Sequence, residues 1–427
     1  MEYNDQLLQW IEKHEDSLSE IFRNISRIAL YNQRKVLNAF HAEKIGTHHF
    51  QSTTGYGYND LGREALENVF SRVFGTEAAL VRQQMVSGTH AIACAILGNL
   101  KPSQELILAT GYPYETLLGV LGIKPGQETV VSETGGFTVK VIPLLPDGNI
   151  DVERILDAIT PATAMVAFQR SCGYSSRQSF TIDKLQKVFQ DIKRIHKDLP
   201  LFVDNCYGEF VETLEPTEVG ADLIAGSLIK NPGGCLIPSG GYIAGRADLV
   251  NKAAERLYAP KIAGEIGPSL LNLQIFFQGF FEAPHRVSDM HRGAVLTAKL
   301  FEEIGYRVSP RFDEKRTDII QKIFFDSDQD LIDFCRAVQR NSPIESHVVP
   351  EPALLPGYLH PVIMGGGTFI SGSTSEFSAD APLTPPYTAF MQGGLSYTQI
   401  KLSLAGIFLS NYLPKIMGNF TMSSRNP

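Results

Sequence analysis

VDNCYGEFVETLEPTEVGADLIAGSLIKNPGG, residues 203–234, is the stretch whose reading decides the fold. An apolar run, LFVDN (201–205), carries an acid at its end, Asp204. A second run, ADLIAGSL (221–228), brings Ser227, and Lys230 follows three residues later, ahead of a turn with Gly233 and Gly234. Short, nearly continuous apolar runs bounded by turn residues read as strands buried on both faces, the habit of parallel sheets. In an open parallel sheet the C-terminal ends of the strands line the ligand crevice, so Asp204 and Lys230 are expected to face one site. Either residue alone is ambiguous. An Asp after a strand often caps the next helix, and a Lys after an apolar run often ends a strand at the surface. The ordered combination carries the reading.

Outward from this segment the same pattern repeats. ELILAT (105–110), VKVIPL (139–144), AMVAFQ (164–169) and GGYIAG (240–245) read as further strands, with helices at IDVERILDAI (150–159) and DKLQKVFQDIKRIHK (183–197) between them. Strands alternating with helices predict a mainly parallel sheet, of seven-stranded type, with helices on both faces. Residues 1–45 read as one or two amphipathic helices, QSTTGYGYNDLG (51–62) as a loop, and a helix is expected from Arg63 to Val73. Ser87-Gly88-Thr89 precedes another helix, through AIACAILGNL (91–100), and offers a hydroxyl and backbone N–H groups at a positive helix end suited to phosphate. The last third changes character. RGAVLTAKLFEEIG (292–305) and DQDLIDFCRAVQR (328–340) read as helices around a strand-like DIIQKIFFD (318–326), followed by a Pro/Gly-rich stretch over 342–386. The expected division is a helical segment 1–50, a large α/β domain 51–288 and a smaller α+β domain 289–427.

Composition excludes several functions. Of 427 residues 43% are hydrophobic, enough for a large core, and the net charge is −8, without the basic face a nucleic-acid binder needs. Lys193, Arg194, His196 and Lys197 lie beside Asp191 and Asp198 and read as the solvated face of a helix. The N-terminus lacks the basic and apolar regions of a signal peptide, and no apolar run approaches the ~20 residues of a membrane helix. Five scattered cysteines without a CxxC pair suit a reducing, cytoplasmic setting, and Cys172 and Cys206 are read as packing residues. His48-His49 lacks a third ligand at a sensible spacing, so no metal site is expected. Gly365-Gly366-Gly367-Thr368 matches neither nucleotide-binding glycine pattern and is read as shaping one wall of the site.

VDNCYGEF and GADLIAGSLIK resemble the cystathionine/methionine γ-lyase branch of the fold-type I enzymes that use pyridoxal 5'-phosphate (PLP), with their Val-Asp-Asn-x-Tyr strand end and Ser-x-x-Lys. From about residue 25 onward the chain resembles more closely the aluminium-resistance, methionine γ-lyase-like group. The features are GYGYNDLGRE (55–64), SGTHA (87–91), GYPYETL (111–117), QRSCGYSSR (169–177), SLIKNPGG (227–234) and GGTFISGSTSEFSADAPL (366–383). The resemblance implies a fold-type I, aspartate aminotransferase-like α/β protein with PLP as cofactor. Lys230 would be the Schiff-base lysine, Asp204 the partner of the pyridine nitrogen and Tyr114 the ring that stacks on the cofactor. Ser227, Ser87, Gly88 and Thr89 would hold the phosphate. Tyr56 or Tyr58 would reach the cofactor phosphate of a neighbouring subunit, in a homodimer or tetramer with active sites at the dimer interface.

The chain departs from these relatives in three places, one of them the strand that bears Asn-Pro in the relatives and reads QRSCGYSSR (169–177) here. They carry an arginine beside the phosphate-binding tyrosine, whereas here the nearest is Arg63. Where they show Arg-Leu-Ser to grip the substrate carboxylate, this chain has Lys401-Leu402-Ser403, and lysine lacks the planar fork of guanidinium. Lys401, Arg170 and Arg177 are therefore alternative anchors, with Ser371 and Ser373 as further polar contacts. The implied activity is elimination at the γ- or β-carbon of a sulfur amino acid, breaking a C–S bond. Other PLP reactions on the same fold (transamination, aldol cleavage, racemisation) and a non-catalytic PLP- or metal-binding resistance protein remain as alternatives.

Overall fold

The computed structural model describes residues 5–355 and 358–416. Two helices open the chain, α1 (Asp5–Asp16) and α2 (Ser19–Ala42), and α3 (Leu61–Phe74) follows the Gly/Tyr-rich loop. Strands and helices then alternate as β1 (Ala78–Arg82), α4 (Gly88–Gly98), β2 (Glu105–Leu108), α5 (Glu115–Leu121), β3 (Thr129–Val131) and β4 (Thr138–Val141). Next come α6 (Val152–Ala158), β5 (Thr163–Gln169), α7 (Ile182–Ile195), β6 (Leu201–Asp204), β7 (Leu223–Ser227), β8 (Gly241–Gly245) and α8 (Ala247–Leu257). The helix signals in the sequence do their expected work. Asp60 caps α3 by accepting from Arg63 N, Thr181 caps α7, and Ser87 caps α4. On α7 the residues Ile182, Leu185, Val188, Phe189 and Ile192 fall on one buried face.

The strands form one sheet in the order β1-β8-β7-β6-β5-β2-β4-β3. Pairing is parallel from β7 through β6, β5 and β2 to β4, and β8 runs antiparallel to both its neighbours. Every residue of β6, β7 and β8 is buried, which explains their unbroken apolar character. Chain order reverses at β2, with β4 on one side and β5 to β7 on the other, the arrangement that opens a crevice at the strand ends. The sheet has eight strands against the seven-stranded type expected: beside the six apolar runs read as strands it contains β1 and β3, the latter a three-residue edge strand antiparallel to β4 and too short to show a period.

By residue proximity the chain divides into one unit of residues 30–284 and another of residues 1–29 with 285–427. The division falls inside α2 and inside α9 (Gln274–Glu303), a continuous helix that carries Pro284 at the break. The remaining elements are β9 (Val308–Ser309), β10 (Gln321–Phe324), α10 (Asp328–Arg340), β11 (Val362–Gly365), β12 (Ser378–Pro382), β13 (Thr388–Gln392) and α11 (Tyr397–Asn411). Their strands form a second, antiparallel sheet, β11-β12-β13-β10-β9. Trp10, Phe301, Ile323, Phe334, Ala389 and Phe408 belong to its core. The Pro/Gly-rich stretch over 342–386 thus supplies two strands. Its glycines serve close packing, since a Cβ on Gly367 would lie 1.6 Å from Ile344 O.

Candidate active site

The C-terminal ends of β6 and β7 and the N-terminus of α4 converge. Asp204 ends β6, is 6% exposed, and accepts from Cys206 N at 3.1 Å. Burial raises its carboxyl, against the opposing pull of the Lys230 charge and the Cys206 hydrogen bonds. Ser227 ends β7, and Lys230 follows with its Nζ 3.9 Å from the centre of the Tyr207 ring. Burial works against charge on the Lys230 amine. The acidic groups around it, Cys206, Tyr207, Asp204 and Tyr114, outweigh burial and hold its pKa above the usual range.

The start of α4 packs directly on this floor. A Cβ on Gly88 would come within 3.0 Å of Ser227 Cβ and 3.4 Å of Cys206 Sγ, so glycine lets the amide-bearing helix end approach β7. Ser87 Oγ accepts from His90 N at 3.1 Å, which commits one lone pair to the cap. Thr89 Oγ1 lies 3.2 Å from the hydroxyl of Tyr114, the residue that precedes α5. Burial, then the Asp204 charge, push the Tyr114 phenol upward, so it stays neutral. Lys230, Asp204, Ser227, Gly88, Thr89 and Tyr114 therefore meet in one crevice, and Cys206 and Tyr207 join them. Tyr207 stood in the sequence only as the tyrosine of the Val-Asp-Asn-x-Tyr strand end, with no role assigned, and Cys206 was read there only as packing.

The remaining sequence candidates lie in other settings. Arg170 is completely buried, donates to Asn205 Oδ1 at 2.8 Å, and pairs with Glu215 at 3.3 Å and Glu212 at 3.4 Å. It packs so closely on Gly208 that a Cβ there would lie 2.7 Å from its Cδ. Arg170 is sealed into the scaffold behind Asp204. Arg177 is half-buried over Phe180, at 4.7 Å from the ring centre, and donates to Gln169 O at 2.8 Å and Gln178 O at 2.9 Å. It also acts electrostatically on Asp204. Lys401, on α11, is paired with Glu15 at 2.6 Å and Glu12 at 3.5 Å. Ser371 is exposed, and Ser373 is buried with its Oγ 2.9 Å from Ser375 Oγ. Both belong to the loop in which Glu376 accepts from Phe369 N and Ile370 N.

Tyr56 and Tyr58 stand 70% and 60% exposed on the Gly/Tyr loop. Arg63, buried, pins that loop by donating to Gly57 O at 2.7 Å and Gly267 O at 2.9 Å. Among the described residues no three His, Cys, Asp or Glu side chains stand placed for a metal ion. Among the same residues no helix is long and apolar enough to cross a membrane.

A family model described as methionine gamma-lyase matches residues 7–411. The chain belongs to the methionine gamma-lyase family. YnbB of Bacillus subtilis (strain 168), an uncharacterized protein, is 46% identical over 387 residues, 91% of this chain and 92% of its own length. Among solved structures, a candidate cystathionine beta-lyase involved in aluminum resistance, from Listeria monocytogenes, is 45% identical. It superposes with a TM-score of 0.91, covering 94% of this chain and all (100%) of its own. A carbon-sulfur lyase involved in aluminum resistance, from Clostridium novyi NT, is 42% identical with a TM-score of 0.89, covering 95% and 96% of the two chains.

Membership in the methionine gamma-lyase family makes this protein a PLP-dependent carbon–sulfur lyase of the expected fold. The crevice fits that cofactor. It offers an amine for the aldehyde (Lys230), an acid for the ring nitrogen (Asp204), and a glycine-floored helix end with hydroxyls beside it for the phosphate.

Proposed function

We propose that the protein eliminates a thiol from a sulfur-containing amino acid, at the β- or γ-carbon, with Lys230 as the residue that holds the cofactor and moves the substrate proton. The observation that carries this reading is the meeting of the Lys230 amine, the buried Asp204 carboxyl and the glycine-floored start of α4 at three strand and helix termini. Bound PLP supplies the electron sink that makes a proton next to the amino group removable. The residues do the rest. Displaced from the cofactor by the substrate amine, Lys230 would be a neutral amine able to accept the proton from the substrate α-carbon and to return one to the leaving side. Asp204, kept from water, holds positive charge on the ring nitrogen. Ser227, Ser87, Gly88 and Thr89 would hold the phosphate, and Tyr114 would be the aromatic partner of the ring. Tyr56 or Tyr58, both exposed, would reach the cofactor phosphate of a second copy through a phenol hydroxyl in a homodimer or larger assembly.

For the substrate carboxylate, Arg177 is the anchor we favour. It is half-exposed and electrostatically linked to Asp204, whereas Arg170 is sealed and Lys401 is held by two glutamates.

The test is spectroscopic first. The purified protein is expected to absorb at the visible edge, and borohydride is expected to leave a stable pyridoxyl adduct on Lys230. Lys230→Ala should abolish both the adduct and the release of thiol, 2-oxo acid and ammonia from sulfur amino acids. Turnover that survives in Lys230→Ala refutes the mechanism; amino transfer to a keto acid in place of thiol release refutes the reaction.

A further inference from the structure

The turn after β6 is held far more firmly than a connection requires. Tyr207 sits in the left-handed region at φ 72°, and Phe210 does so at φ 65°. For side chains of this bulk that is strained backbone, which persists only where surroundings over-determine it. The surroundings do so here. Asn231 Nδ2 donates to Tyr207 O at 2.9 Å and to Glu209 O at 3.0 Å. Glu215 accepts from Phe210 N at 2.9 Å, Asn32 donates to Phe210 O at 2.9 Å, and Arg170 holds Asn205 and covers Gly208. Asn231 is the residue next to Lys230, so the clamp ties the strained turn to the backbone that carries the amine. The outcome is a buried ring, 7% exposed, whose face lies 3.9 Å from Lys230 Nζ.

We propose that Tyr207 is a positioning residue for Lys230, its ring face holding the amine by its positive charge at the mouth of the crevice. The inference rests on Lys230 being the cofactor lysine. An aromatic face attracts an ammonium most strongly where water is excluded, and a neutral amine gains nothing comparable from it. The other groups that act on Lys230 are Asp204, Cys206 and Glu209 from the same turn and Tyr114 from the start of α5. All of these stay in place when only the ring is changed.

The test reads the charge of the amine directly, without turnover. In the full-length chain freed of PLP, Lys230 is labelled with an acylating reagent across a pH series and quantified by peptide mass spectrometry. Only the neutral amine reacts. Tyr207→Phe keeps the ring face and removes only the acidic phenol, so its midpoint should lie between those of the parent and Tyr207→Leu. Tyr207→Leu should give roughly tenfold more neutral amine at a given pH, moving the labelling midpoint downward. Progressively fluorinated phenylalanines at this position keep the shape while draining the ring face. They should move the midpoint stepwise the same way, and they keep the test decisive if the leucine variant does not fold. One midpoint shared by the parent, Tyr207→Leu and the fluorinated series overturns the proposal. A borohydride adduct on a different lysine would instead sink the cofactor assignment, and the two failures are distinguishable.

Discussion

Replacing Arg170 by methionine separates a scaffold from a substrate anchor. The guanidinium is fully buried and neutralises Glu212 at 3.4 Å and Glu215 at 3.3 Å, the latter only 2% exposed. Methionine fills much of the volume but removes the guanidinium from both carboxylates, leaving Lys35 to act on Glu215. Breaking one side of a buried ion pair costs about 3–5 kcal/mol, because the remaining charge stays buried. In a unit of some 250 residues that corresponds to a fall in Tm of roughly 6–20 °C. Thermal unfolding followed by circular dichroism measures it.

The loss should also depend on pH. Burial raises the Glu215 carboxyl, and Arg170 is the first of the groups that pull it back. Without the arginine, the folded protein binds a proton there that the unfolded chain releases. Stability of Arg170→Met therefore recovers as pH falls through the raised value. A variant with unchanged Tm and a raised KM would refute this reasoning, and would return Arg170 to the substrate.

Two further outcomes follow from the geometry. Gly88→Ala drives a methyl to 3.0 Å from Ser227 Cβ, in a central strand that cannot give way. Overpacking of this kind costs about 1–3 kcal/mol, so PLP should dissociate roughly tenfold or more faster under dialysis, and unchanged retention would count against a phosphate site at this helix end. Glu209 is fully buried against Tyr242 Oη at 2.8 Å, and burial raises its pKa to about 8. The folded state keeps this proton while the unfolded chain loses it near 4.5, so the group costs stability progressively as pH rises from there to about 8. Glu209→Gln should remove a slope of about 1.4 kcal/mol per pH unit from the unfolding free energy measured by denaturant titration in that window, and an unaltered slope would place the proton elsewhere.

Much of the crevice was legible because its parts sit where strands and helices end, and ends leave local marks. Asp204 closes an apolar run, Lys230 and Ser227 hold a fixed spacing, and Gly88 opens a helix. Features that depend on three dimensions left less trace. β1 pairs only with a strand more than 150 residues later, and nothing in AALVR announces that partner. The position of Tyr207 depends on a left-handed backbone that its residue type disfavours. Arg170 read as an available cation because charge in a sequence says nothing about burial. A signal for its partners did exist: Glu212 and Glu215 stand close together in a segment otherwise rich in buried residues, and buried acids call for a buried base. The divisions inside α2 and α9 had no marker except Pro284, which a sequence reader takes for a helix end but which here lies within one.

The antiparallel β8, inserted between β7 and β1, sets an order of events on the ribosome. Ala78 pairs with Gly245 and Arg82 with Gly241, so β1 has no sheet neighbour until residue 245 has been made. At about 5–20 residues per second, the first strand waits on the order of ten seconds or more after its own synthesis. α4, which follows β1, waits with it. The nascent chain thus exposes Lys230 and the start of α4, the proposed phosphate site, as separate pieces, and both reach their final places only once the late hairpin of β7 and β8 has closed on the early strand. A free aldehyde met before that moment finds an ordinary solvent-exposed amine, and selective capture of the cofactor belongs to the completed sheet.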